Sequence, residues 1–116
     1  MFFDNPLFMI PTLTGAIFVL VGVFMLKFPP KNINSLYGYR TSSSMKSDER
    51  WIFAQKYSAK EFIKLGLILM VIGSVGIFVY PNENLATGIG MGLMTIGIIT
   101  IIVRVERAIK RKFGQD

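Results

Sequence analysis

The sequence predicts an all-α membrane protein with three transmembrane helices. A cytoplasmic motif loop and an amphipathic approach helix lie between the first and the second. Three observations predict this. Apolar residues make up 52% of the 116 and come in three long runs, the pattern of bilayer-spanning helices rather than of a small soluble core. One long polar segment, 29–61, separates the first run from the second, whereas only Pro81-Asn82-Glu83-Asn84 separates the second from the third. All thirteen Lys and Arg fall on the side that three crossings give to the polar segment and the C-terminus. The positive-inside rule makes that side the cytoplasm and puts the N-terminus outside.

The elements follow in order within one domain. After a short lead, Met1 to Pro6, the first span covers 7–28. It reads as a retained helix, because the start has neither a basic n-region nor a small-residue cleavage site. Pro11 lies near its first turns, where a missing N–H matters least. Pro29-Pro30 stops it, and Lys31 to Ser47 reads as irregular structure held against the membrane surface. Ser47 has the character of a helix N-cap, with Asp48 and Glu49 in the first turn where the dipole favours acids. From there no Gly or Pro interrupts the chain before Gly66. Lys56, Lys60 and Lys64 make one basic stripe, and Trp51, Ala54, Ser58 and Phe62 make a less polar face. The second span is 62–80, the turn is Pro81 to Asn84, and the third span is 85–103. The basic tail, 104–116, carries Arg104, Arg107, Lys110, Arg111 and Lys112 and reads as a helical continuation at the surface.

Glycine spacing predicts where helices approach. Gly15 and Gly22, Gly66 and Gly73, and Gly90 and Gly97 are each seven apart, and Gly88 and Gly92 form a small-xxx-small pair. Such positions let membrane helices pack backbone to backbone. They serve contacts among the three spans or the seam of a homo-oligomer.

The composition argues against catalysis. The chain has no Cys and no His, which removes thiolate chemistry, the commonest general base and the commonest metal ligand. The central turns of the spans hold no acid or base, which speaks against a proton-coupled transporter. Asp48, Glu49 and Glu61 read as dipole complements and partners of nearby lysines. No cofactor, metal or enzymatic activity is expected. The net charge of +6 reads as topology and contact with anionic lipid headgroups, not as nucleic-acid binding.

The polar segment concentrates the residues suited to recognition. Tyr37, Tyr39 and Trp51 can sit at headgroup depth with polar tips in water. Arg40 can grip a phosphate or carboxylate through two parallel hydrogen bonds. Gly38 permits a backbone conformation other residues resist. These features fit an interfacial anchor as well as a specific site.

Pro30, Asn32, the run Tyr37-Gly38-Tyr39-Arg40-Thr41, Ser44, and Trp51 followed by Ala54-Gln55 resemble the signature of the SdpI/YfhL family. Gln55 stands where asparagine is more usual. These are small bacterial membrane proteins whose founding members give immunity to a secreted, membrane-active toxin peptide. The resemblance implies Asn32, Gly38, Tyr39, Arg40, Thr41, Ser44 and Trp51 as functional residues. It implies a non-catalytic immunity protein that resists a bacteriocin-like peptide. Two alternatives stand beside it. One is a docking platform that captures a cytoplasmic regulator; the other is a small dimeric exporter or lipid transporter.

Overall fold

The computed structural model describes residues 4–79 and 82–114. Among them all regular structure is helical: α1 (Pro6–Lys27), α2 (Asp48–Gly76) and α3 (Glu83–Phe113). The molecule is elongated, 48 × 27 × 21 Å. Its long axis matches α3, whose 31 residues at 1.5 Å each reach roughly 46 Å.

Each helix starts on the cap its sequence supplies. Asn5 accepts from the Leu7 amide, with Pro6 in the first turn. Ser47 accepts from Arg50 N, and Asp48 and Glu49 follow. Asn82 accepts from Leu85 N. The expected turn is therefore shorter than Pro81 to Asn84, because Glu83 and Asn84 already belong to α3; Tyr80 and Pro81 lie outside the described residues. α2 also stops at Gly76 rather than running to residue 80. The Asn5 side-chain amide caps that end, donating to Gly76 O at 2.9 Å and to Val79 O at 3.0 Å, while Gly76 O also accepts from Val79 N at 3.2 Å in the closing turn.

α1 and α2 run antiparallel along a seam of small residues. A methyl group added at Gly15 would strike Gly66 O, and one at Gly66 would meet Gly15 O at 2.6 Å. Toward one end of the seam Gly22 faces Ala59 O; toward the other, Gly73 faces Thr12 and Gly76 faces Leu7 O. Leu7 O is also the carbonyl that Pro11, lacking an N–H, cannot bond. α3 closes the bundle more loosely. Gly90 packs on Ile10, whereas Gly97 has only ordinary contact with Phe18 and Leu69. Gly88 and Gly92 face open space, so this pair makes no close packing inside the chain.

Two helices, α1 and α3, are long and apolar enough to cross a membrane. The apolar part of α2 begins only after Lys64 and ends at Gly76, which leaves it short by the same measure. Leu20, Val71 and Ile96 are each more than 60% exposed, and they represent an apolar belt on all three helices of the kind that lipid covers. Beyond that belt α2 and α3 continue together. The tail does not lie apart at a surface; Val105, Ala108 and Ile109 are buried. Glu61, buried on α2, pairs with Arg104 on α3 at 2.5 Å and with Lys64 at 3.2 Å. The stripe of Lys56, Lys60 and Lys64 is exposed, while Trp51, Ala54 and Ser58 face inward.

Candidate functional site

The segment between α1 and α2 folds onto the helix bundle rather than spreading from it. Its course is set by local bonds first. Asn34 Oδ1 accepts from the amides of Leu36 and Tyr37, at 2.9 and 2.7 Å, which turns the chain. Tyr37 Oη then donates to Phe28 O at 2.7 Å and closes over the end of α1. Gly38 follows with φ +114°, a conformation that needs glycine. The space needs it as well, since a methyl group here would meet Gln55 Oε1 at 2.6 Å and the Pro30 ring at 2.8 Å.

Tyr39 is the centre of the arrangement. Its backbone is clamped from α2: the amide donates to Gln55 Oε1 at 2.6 Å, and the carbonyl accepts from Gln55 Nε2 at 2.8 Å. Gln55 is buried, so these bonds are shielded from water. The Tyr39 side chain crosses to α3, where its hydroxyl donates to Glu106 at 2.7 Å. Thr41 Oγ1 donates to the same carboxylate at 2.8 Å, and Ser43 Oγ at 2.6 Å. Ser44 Oγ accepts from Thr41 N at 2.9 Å and lies 3.2 Å from Tyr39 O, tightening the turn from within. Trp51, fully buried, donates its indole N–H to Pro30 O at 2.6 Å and fixes the other end of the segment.

Three hydroxyls thus converge on one carboxylate beyond the apolar stretch of α3. Burial pushes the Glu106 carboxyl up, but the bonds from Ser43, Tyr39 and Thr41, with the Lys110 charge, outweigh it and hold it below its ordinary value. Burial and the adjacent Glu106 charge push the Tyr39 phenol well above its own. The pair is therefore carboxylate and neutral phenol, the combination in which Tyr39 donates. Bonds to an ionised acceptor contribute about 1.5–3 kcal/mol each, so this cluster is the strongest link between loop and bundle.

Of the residues expected to be functional, Gly38, Tyr39, Thr41, Ser44 and Trp51 belong to this network. Arg40 sits at its rim, exposed, with Nε donating to Asn34 O at 3.0 Å. Asn32 stays outside it: the residue is exposed, and its carbonyl accepts from Asn34 Nδ2. Four participants were not expected as site residues: Asn34, Ser43, Gln55 and Glu106. Glu106 did carry a signal, as the one acid lying between the five bases from Arg104 to Lys112.

The model of the SdpI/YfhL protein family matches residues 31–105. The chain belongs to the SdpI/YfhL family. A relative from Bacillus subtilis (strain 168), described as "Uncharacterized protein YfhL", is 42% identical over 59 residues. That alignment covers 51% of this chain and 54% of the relative, so the chain spans about half the length of the curated relative it matches. No solved structure matches. The family match takes in the loop from Lys31 onward, Gln55 and Glu61; it begins one residue after Pro30 and ends one residue short of Glu106.

Proposed function

We propose that this SdpI-family chain is a bacterial inner-membrane immunity protein that protects against a membrane-active peptide without catalysis. The observation that carries the reading is the locked loop. Gly38, Tyr39, Thr41, Ser44 and Trp51, the residues the family resemblance singles out, spend their polar groups on holding the loop to α2 and α3. A motif used this way maintains a shape. It presents a fixed surface to a peptide or to lipid, and it leaves no activated nucleophile or free acid–base pair to work on a substrate.

In this reading all three helices cross the bilayer. Leu67, Val71 and Val75 of α2 are exposed alongside the exposed faces of α1 and α3, and lipid would cover them all. Lys60, Glu61 and Lys64 then lie at the headgroup level, with the lysines snorkelling. Three crossings put the loop, with every Lys and Arg, on the cytoplasmic side.

Survival of a toxin-sensitive bacterium tests the proposal. Cells expressing the chain are challenged with an SDP-type peptide and with an unrelated membrane-active peptide. Selective protection, lost in Arg40→Ala and Trp51→Ala at matched membrane abundance, is the expected result. A well-inserted protein that gives no protection contradicts it.

One observation favours a second reading, a docking platform for a cytoplasmic regulator. Where α2 and α3 run on past the apolar belt, Lys112 lies 4.9 Å from the Phe53 ring and Arg50 lies 5.5 Å from that of Phe113. A co-purifying soluble partner lost on Phe113→Ala would favour this platform over direct protection.

A further inference from the structure

We propose that the groove between α1 and α3, under the motif loop, seats one anionic phospholipid, with its phosphate at Arg40 and one acyl chain in the apolar slot beside Tyr39. The inference rests on the membrane reading of these helices and is independent of any protective function.

Two clefts adjoin there, each of about 310 Å³. The first is bounded by the loop from Tyr37 to Thr41, by Val21 and Met25 of α1, and by Ile102 of α3. The second is lined by Phe18, Phe62, Ile98, Ile101 and Ile102, with Tyr39 between it and the loop. The clefts share Tyr39, Phe62 and Ile102, so they form one path from the loop into the apolar belt. One end carries a guanidinium and hydroxyls, and the other is hydrocarbon. That is the polarity of an amphiphile.

Arg40 suits the phosphate. Its Nε is tied to Asn34 O, and its two terminal nitrogens take part in no hydrogen bond or ion pair among the described residues. A guanidinium held in this way offers a planar fork to two phosphate oxygens. Glu106, the carboxylate under the loop, is already taken by Tyr39, Thr41 and Ser43, so it does not need Arg40. Lys27, in the last turn of α1, adds a second positive charge at the loop end of that helix, and positive charge there favours an anionic headgroup over a zwitterionic one.

An extended hydrocarbon chain matches the shape of this path, which is continuous through Tyr39, Phe62 and Ile102 and apolar beyond them.

The test is native mass spectrometry of the full chain in mild detergent, with phosphatidylglycerol or phosphatidylethanolamine of identical chains added. The wild type should retain one phosphatidylglycerol several-fold better than phosphatidylethanolamine, and millimolar inorganic phosphate should not displace it. Arg40→Gln should abolish the headgroup preference. Ile98→Trp, which fills the slot, should reduce retention of both lipids, with helicity checked by circular dichroism. Phosphatidylglycerol with a photoactivatable acyl chain, used on the wild type alone, should label the peptides containing Phe18 and Ile98 to Ile102. Equal retention of the two lipids overturns the proposal. So do an unaffected Ile98→Trp, labelling spread over the whole apolar belt, or a bound peptide in place of lipid.

Discussion

Glu106 is one acid among five bases, and it does more for the loop than any of them. Glu106→Gln keeps the shape but removes the charge that strengthens three hydrogen bonds. Thermal unfolding in detergent should show a loss of about 1–3 kcal/mol. Tyr39→Phe should show a smaller loss, and the double variant less than the sum, because both act on one cluster. The sign of the pH dependence follows from the lowered carboxyl. Glu106 contributes full stability above its ordinary value of 4.5, and that contribution fades as pH falls below it toward the lowered native value. Glu106→Gln should flatten this part of the profile. Gly38→Ala should destabilise by about 1–3 kcal/mol through backbone strain alone, with the collision against Gln55 Oε1 added. Gly38 and Trp51 were legible in the sequence, because a glycine between two tyrosines and a lone tryptophan in a polar segment have few bland uses. Glu106 was not. Its partners Tyr39, Thr41 and Ser43 are more than sixty residues away in sequence, and beside Lys110 it passes for an ordinary helix pair.

The helices were legible where a local rule decides them. Ser47 begins α2 as the cap its sequence predicts, and the seven-residue glycine spacing marks the α1–α2 seam; the caps Asn5 and Asn82 appear only in the structure. Helix ends were less so, since the end of α2 at Gly76 is capped by Asn5, at the far end of the sequence. The small-xxx-small pair Gly88 and Gly92 makes no contact within the chain, because spacing alone cannot say which face of α3 meets a neighbour. Substitutions separate the two kinds of glycine. Gly66→Leu drives a side chain into Gly15 O and should abolish the folded protein in membranes. Gly88→Ala and Gly92→Ala meet nothing within 4 Å and should leave folding intact. A change in oligomeric state from either alanine variant, read by size-exclusion chromatography with light scattering, would assign that face to a homo-oligomer seam.

At the scale of the whole molecule, the loop makes three helices into one body at its end of the bundle. α1 is joined through Tyr37 at Phe28 O, α2 through Gln55 and Trp51, and α3 through Glu106. Fusions of alkaline phosphatase and of a fluorescent protein should report the C-terminus in the cytoplasm, as three crossings require; two crossings would make the termini of α1 and α3 disagree with the segregation of charge. The sequence placed the loop at the membrane surface because aromatic and basic residues together fit that location. It could not reveal the lock, which exists only once α3 folds back beside α2. The most direct measurement is hydrogen–deuterium exchange of the loop in the intact protein. Peptides covering Gly38 to Met45 should exchange as slowly as the helices they touch, and Glu106→Gln should speed them markedly. Rapid exchange of that stretch in the wild type, or no change on Glu106→Gln, would contradict a locked loop.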